Sequence, residues 1–199
     1  MPSVEFLFDF GSPNAFFAHR VIPEIEKRTG ATFDYVPVLL GGIFKATGNQ
    51  SPMQAFGHIR NKMAYEQLET QRFIRRHHID DFTFNPFFPI NTLNLMRMAV
   101  AARNEGYLPA YMDAVFRAMW IEPKKMDDPE VAKAALAASG LDPALYERGQ
   151  APEVKARLIA NTEAAVARGV FGIPTFFVGD EMFFGKDRLR DVEEAIQGL

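Results

Sequence analysis

The chain has 199 residues, 48% of them hydrophobic and 24% charged, a composition that indicates one globular domain, with or without an insertion, and excludes disordered and fibrous classes. Its 22 basic and 25 acidic residues give a formal net charge of -3 without a basic tail, so we expect no binding to nucleic acid or an anionic membrane. Because the sequence contains no cysteine, disulfides, thiolate metal sites and a cysteine nucleophile are excluded. A small-molecule partner is favoured, and any thiol chemistry requires a thiol from a ligand.

The N-terminal residues show neither the basic flank nor the apolar core of a signal peptide, which favours a cytoplasmic protein. No apolar run approaches the ~18 residues that a membrane-spanning helix needs. His77 and His78 are neighbours in the sequence, and adjacent side chains of a helix point in different directions. We therefore predict no metal site.

The first forty residues carry the pattern of a βαβ unit. Val4–Asp9 is short, apolar and rich in Phe, as expected of a buried strand. Ser12 followed by Pro13 is typical of a helix start, with serine as the N-cap and proline in the first turn. Thr32–Leu40 predicts a second strand parallel to the first. Pro37 inside it indicates an edge strand or a bulge.

The rest of the chain is helical in its middle and returns to strands at its end. Gly41 to about Arg168 has apolar residues three and four apart, which predicts several helices, with a loop at Asp80–Asn91. Thr175–Val178 and Met182–Phe184 predict a hairpin, and Arg188–Gln197 a closing helix. Two strand-forming ends that flank a helical block predict one mixed sheet with a helical insertion.

This order of elements, with Pro174 directly before the third strand, resembles an α/β thioredoxin-like fold with a helical insertion between its βαβ and ββα halves. The resemblance divides the chain into a thioredoxin-like domain at residues 1–42 and 169–199 and an all-helical insertion domain at residues 43–168.

Several motifs make the resemblance more specific, since they occur in order along nearly the whole chain. They are FDFGSPNAF at residues 8–16, GGI at 41–43 with Gly48-Asn49, Lys62, FPINT at 88–92, GVFGIPT at 169–175 and FGKDRL at 184–189. Together they are similar to the motifs of 2-hydroxychromene-2-carboxylate isomerases and of kappa-class glutathione transferases. Membership of this group implies glutathione as the cofactor and a small aromatic substrate. The Met- and Ala-rich helices offer a face for a homodimer, which we expect.

Ser12 is the candidate catalytic residue, and it has two compatible interpretations. A serine before a helix is most often only an N-cap. Thioredoxin-like redox proteins, however, place their nucleophilic cysteine at this strand-to-helix junction, where free N–H groups and the helix dipole stabilise a thiolate. A hydroxyl can accept one hydrogen bond while it donates another. Ser12 is therefore predicted to cap its helix and to donate to the sulfur of bound glutathione.

The resemblance adds further glutathione contacts near the end of the chain. It implies a cis Ile173–Pro174 bond, although most X–Pro bonds are trans, with the Ile173 backbone pairing to the cysteinyl backbone of glutathione. Asp187 is either a helix cap or a ligand for the ammonium of the γ-glutamyl group. Arg188, next to it, is also expected to bind glutathione.

Four more residues are implied by the resemblance to bind glutathione or substrate. Asn49 and Lys62 are expected to contact glutathione, with Lys62 also reaching a substrate carboxylate, although a turn asparagine and a solvated lysine are the more general interpretations. Asn91 and Thr92 are expected either to line a substrate pocket or to cap the helix that follows them.

The resemblance thus predicts a glutathione-dependent cis-trans isomerase of 2-hydroxychromene-2-carboxylate or a related unsaturated aromatic keto acid, in aromatic compound degradation. Reversible addition of a thiolate to the conjugated double bond would allow rotation before the thiol leaves. A kappa-like transferase that keeps the adduct, and a non-catalytic thioredoxin-fold binding module, are the alternatives.

Overall fold

The computed structural model describes residues 3–198, and in it the two strand-forming ends of the chain meet in one four-stranded sheet with the order β2-β1-β3-β4. β1 pairs with β2 in parallel and with β3 in antiparallel, and β3 pairs with β4 in antiparallel. The strands are β1 Ser3–Phe8, β2 Thr32–Pro37, β3 Thr175–Val178 and β4 Glu181–Phe184. The predicted mixed sheet, with its parallel first pair, is confirmed.

The helices lie mainly between β2 and β3, as predicted. They are α1 Pro13–Thr29, α2 Leu40–Thr47, α3 Pro52–Phe56, α4 Arg60–His77, α5 Leu93–Asn104, α6 Leu108–Trp120, α7 Pro129–Ala138, α8 Leu145–Arg148, α9 Pro152–Ala167 and α10 Leu189–Gln197, the last preceded by a 3-10 turn at Lys186–Arg188. The thioredoxin-like fold with a helical insertion is confirmed. The division into two domains stays a prediction, and residues 1, 2 and 199 lie outside the described residues.

The second strand is shorter than its sequence predicts. It ends at Pro37 and not at Leu40, where α2 begins. The apolar run after Pro37 is partly or fully buried as a strand would be, but the Leu40 amide donates to the carboxylate of Asp9 at 2.8 Å. This bond turns the chain away from the sheet. β2 is an edge strand, as Pro37 indicates.

The sheet and the helical segment share one apolar core. The Phe116 ring of α6 lies 6.4 Å from Phe8, 4.8 Å from Phe10 and 5.8 Å from Phe16, between ring centroids. The buried indole of Trp120 donates to the Phe10 carbonyl oxygen at 2.9 Å. The junction between β1 and α1 is therefore held directly by α6. None of the helices between residues 3 and 198 has the length and apolar character to cross a membrane.

Candidate active site

The Ser12 hydroxyl joins the start of α1 to the segment before β3. Its oxygen accepts a hydrogen bond from the Ala15 N–H at 3.2 Å, which makes Ser12 the N-cap of α1. It also donates to the Ile173 carbonyl oxygen at 3.2 Å. Ser12 is only 5% exposed. The capping role is confirmed, while the catalytic role stays a prediction.

The Ile173–Pro174 peptide bond is cis, which confirms the expectation from the resemblance. Among residues 3–198 the Ile173 N–H has no hydrogen-bond partner, so it is available to a bound peptide backbone. The Pro174 carbonyl accepts from the Gly185 N–H at 2.9 Å. Gly185 has a φ of +95°, a conformation that favours glycine. This bond places the Lys186–Arg188 turn next to the cis-proline.

Asp9 is a part of the site that sequence reasoning missed. It is fully buried, and its carboxylate accepts from the Gly11 N–H at 2.9 Å and from the Leu40 N–H at 2.8 Å. Burial raises the pKa of Asp9, and hydrogen bonds from Gly11, Leu40 and Thr92 partly oppose that rise. The only sequence signal is a charged residue at the end of an apolar strand. Through these hydrogen bonds, Asp9 holds the loop that carries Ser12 in place against α2 and against the start of α5.

Thr92 lies directly against the Ser12 loop, whereas Asn91 does not reach it. Thr92 is buried, and a Cβ on Gly11 would stand 3.2 Å from its methyl carbon, so only glycine allows this approach without displacing Thr92. Asn91 is exposed, and its side-chain oxygen accepts from the Leu93 N–H at 3.0 Å. The helix-capping interpretation therefore fits Asn91, while Thr92 makes no side-chain cap.

Asn49 and Lys62, both predicted to bind glutathione, have different surroundings. The Asn49 side chain donates to the Phe171 carbonyl at 2.7 Å, which brings its loop beside the segment that ends in Ile173. The Lys62 ammonium pairs with Glu66 at 2.8 Å and lies 4.8 Å from the centroid of the Phe56 ring. These contacts keep Lys62 on the surface of α3 and α4, and none of them joins it to the Ser12 loop.

Asp187 belongs to the 3-10 turn before α10. Its exposed carboxylate accepts from the Lys186 ammonium at 2.6 Å. Lys186 is only 5% exposed, and its ammonium lies 4.7 Å from the centroid of the Phe73 ring of α4. The N-cap of α10 is Arg188, which makes no side-chain cap but pairs with Asp191 at 3.3 Å. The capping interpretation of Asp187 is therefore wrong, since the 3-10 turn places its carboxylate beside Lys186. Sequence reasoning also missed the burial of Lys186.

Aromatic side chains near these elements are exposed. Phe171 and Phe184 lie 4.5 Å apart between centroids, and each is about two-fifths exposed. Phe84 and Phe88 pack on the buried Trp120 and remain partly exposed. Such surfaces can contact an aromatic ligand. Within residues 3–198, no cluster of three His, Asp or Glu side chains is arranged to hold a metal ion.

The fold and the Ser12 junction define a class: a thioredoxin-fold protein with a buried serine at the junction between β1 and α1. The DSBA-like thioredoxin domain matches residues 3–197. A 2-hydroxychromene-2-carboxylate isomerase of Pseudomonas putida is 30% identical over 98% of this chain and 95% of its own length. The chain therefore belongs to the DSBA-like thioredoxin family and, within it, to the 2-hydroxychromene-2-carboxylate isomerases, as its motifs predict.

Two further similarities agree with this assignment. A solved 2-hydroxychromene-2-carboxylate isomerase superposes with a TM-score of 0.83 at 28% identity, covering 98% of this chain and 95% of that one. The human glutathione S-transferase kappa 1 is 25% identical over 94% of this chain and 87% of its own length. The kappa transferase is thus a more distant relative than the isomerases.

Proposed function

We propose that the chain is a glutathione-dependent isomerase of 2-hydroxychromene-2-carboxylate or a related unsaturated aromatic keto acid, with its reaction at Ser12. The observation that supports the proposal is a pair of hydrogen bonds on either side of the cis Ile173–Pro174 peptide. The Ser12 hydroxyl donates to the Ile173 carbonyl, and the N–H of Gly185, directly before the Asp187 turn, donates to the Pro174 carbonyl. Three curated relatives that match over 98% of the chain are named 2-hydroxychromene-2-carboxylate isomerase.

The groups around Ser12 fit a γ-glutamyl-cysteinyl peptide. The free Ile173 N–H suits the cysteinyl backbone, and the exposed Asp187 carboxylate, held by Lys186, suits the ammonium of the glutamyl end. Arg188 is close enough in sequence to assist there. Asn49 holds the neighbouring Phe171 carbonyl and so positions the segment that carries Ile173.

Bound glutathione would supply a thiolate that adds reversibly to the conjugated double bond, so that the bond can rotate before the thiolate leaves. Ser12 stabilises that thiolate by donating its proton in a hydrogen bond. The N–H groups at the start of α1 add the positive end of the helix dipole. Ordinary thiols have a pKa of about 8.5, so lowering it raises the thiolate fraction at neutral pH.

We assign substrate recognition to groups that lie farther from the glutathione sulfur than Ser12 does. Exposed Phe84, Phe88, Phe171 and Phe184 offer aromatic surface near the site. We assign Thr92 to the wall beside the Ser12 loop, because it touches Gly11. Lys62 and Asn91 remain candidate substrate contacts at the periphery, with Lys62 to meet a carboxylate. A homodimer and a cytoplasmic location are part of the same proposal.

A kappa-like transferase is the second candidate, supported by the match to human glutathione S-transferase kappa 1. A steady-state assay with 2-hydroxychromene-2-carboxylate separates the two activities. The isomerase requires glutathione and leaves its concentration unchanged, whereas a transferase consumes one glutathione per turnover. Absence of isomerisation with saturating glutathione would refute the proposed function.

A further inference from the structure

A cavity of about 580 Å³ lies between α2, α5 and α9, on elements other than those that carry Ser12 and Pro174. Its volume falls within the range of roughly 300–1,000 Å³ that is typical of small-molecule sites. None of the residues placed at the Ser12 site lines it. Nothing in the proposed function uses this cavity.

The walls of the cavity are largely apolar. The start of α2, α5 and α9 provide these walls. Their apolar lining residues are Leu39, Leu93, Leu158 and Val166, together with Ile159, which is 57% exposed. Thr162 also lines it, but its hydroxyl accepts from the Leu39 N–H at 3.0 Å and donates to the Leu158 carbonyl at 2.8 Å. The walls therefore favour an apolar body.

Three cationic side chains and one carboxylate line the same cavity: Lys45, Arg97, Lys155 and Glu163. None of the three cations has an ion-pair partner within residues 3–198. Arg97 donates only to the neutral side chains of Asn94 at 3.5 Å and Gln150 at 3.1 Å. Most other arginines of this net-acidic chain are paired, as Arg148 is with Glu105 and Asp142. With three cations against one carboxylate, the lining of the cavity carries an excess of positive charge.

We propose that this cavity is a second binding site, separate from Ser12, for a small carboxylate with an apolar, ring-sized body. The apolar walls bury the body, and Lys45, Arg97 and Lys155 bind the carboxylate with charge-assisted hydrogen bonds. Two occupants of the cavity can be compared: a small anion, and an apolar segment of a second copy of the chain. The cations favour the small anion, because an apolar segment would leave them without a partner.

Calorimetric titration with 2-naphthoate tests the site. We expect saturable binding of one equivalent, and binding of neutral 2-naphthamide at least about tenfold weaker, because the amide forms no ion pair. The double variant Lys45→Gln/Lys155→Gln should bind 2-naphthoate about 3- to 30-fold more weakly, as exposed charges contribute modestly. Lys27→Gln on α1, away from the cavity, is the matched control and should bind as the wild type does.

Two further variants locate the site. Ala46→Trp fills the cavity and should abolish binding, while Ser12→Ala should leave it unchanged. Equal affinities for the acid and the amide, or loss of binding in Ser12→Ala, would overturn the proposal. So would a wild-type dimer that excludes 2-naphthoate and that Ala46→Trp converts to a monomer. The charge variants concern surface side chains, so the test stands even where Ala46→Trp does not fold.

Discussion

At the scale of single residues, the Ser12 hydroxyl has one proton to donate, and in this structure it donates that proton to the Ile173 carbonyl oxygen. Its bond to the Ile173 carbonyl, at 3.2 Å, is long for an O–H···O hydrogen bond and is readily exchanged for a stronger acceptor such as a thiolate. Ser12→Ala should raise the pKa of the bound thiol and slow turnover about 10- to 150-fold, the effect of one charged hydrogen bond of about 1.5–3 kcal/mol. The pH dependence of turnover and the ultraviolet absorbance of the bound thiolate measure both effects.

A second cap variant separates catalysis from stability in this test. Asp128 caps α7 by accepting from the Glu130 and Val131 N–H groups. Asp128→Ala and Ser12→Ala should each lower the free energy of unfolding by about 0.5–2 kcal/mol, but only Ser12→Ala should move the pH profile. Identical pH profiles in the two variants would show that Ser12 is only a cap.

The Asp187 carboxylate is the residue we expect to fix the glutamyl end of glutathione. Its pairing with the buried Lys186 holds it in place before the ligand arrives. Asp187→Ala should weaken glutathione binding by about 1–3 kcal/mol, the usual loss for a charge-assisted contact. Calorimetry on Asp187→Ala and on Asp180→Ala, an exposed acid in the β3–β4 turn, checks this. Equal affinities in the two variants would remove Asp187 from the site.

Asp9 should make stability depend on pH in a direction opposite to that of most carboxylates. Burial raises its pKa above the ordinary value of 3.8, so the folded state holds the proton more tightly than the unfolded chain does. Its stabilising contribution is therefore complete below the unfolded pKa and is lost as the pH rises through the folded pKa.

Asp9→Asn provides the measurement. In Asp9→Asn an NH2 group replaces one of the two oxygens that accept from the Gly11 and Leu40 N–H groups. One of these N–H groups then faces a donor, which should cost about 1–3 kcal/mol. In urea unfolding over a pH series, the advantage of the wild type should shrink as the pH rises from about 4. The exposed Asp80→Asn variant serves as the control. An advantage that grows with pH would contradict this assignment.

At the scale of elements, one threonine attaches α9 to the start of α2. Thr162 accepts from the Leu39 N–H and donates to the Leu158 carbonyl within its own helix. Thr162→Val should lower the free energy of unfolding by about 1–3 kcal/mol, because the Leu39 N–H loses its partner. Thr70→Val removes a bond within α4 alone and should change it by less than about 0.5 kcal/mol. Similar losses in the two variants would deny the attachment.

Local chemistry explains which elements are predictable from the sequence. The start of α1 is predicted because Ser12 and Pro13 act on the backbone that immediately follows them. The end of β2 is not predicted, because Leu40 leaves the sheet through a bond to Asp9, far away in the sequence. A buried apolar run has the same pattern in a strand and at the start of a buried helix.

Some residues of the candidate site are predictable from the sequence and others are not, for the same physical reason. Ser12, Ile173 and Pro174 were found because a resemblance in motif order brings them together, and the structure joins them. Asp9 and Lys186 were missed because charged residues are normally exposed. Their burial depends on contacts with Leu40 and Phe73, which no local pattern reveals.

At the scale of the whole molecule, Trp120 fluorescence is sensitive to the unfolding of both the sheet and the helical segment between β2 and β3. Trp120 is the single tryptophan, it belongs to α6, and its indole bonds to the Phe10 carbonyl beside the sheet. Because both parts share one core, Trp120 fluorescence and far-ultraviolet circular dichroism should show one coincident transition in urea. Loss of helical signal at a urea concentration that leaves the fluorescence unchanged would indicate two independent units.

The pairing of β1 with β3 also governs when the protein can finish folding. Val4 pairs with Val178 and Phe6 with Phe176, so β1 is synthesised well before the strand that pairs with it. Until then one edge of the Phe-rich β1 has no strand partner, while the helices between β2 and β3 can form from local contacts. Long-range pairing of this kind slows folding and leaves apolar strands open to association. The four-stranded sheet can therefore be completed only after β3 and β4 have been synthesised.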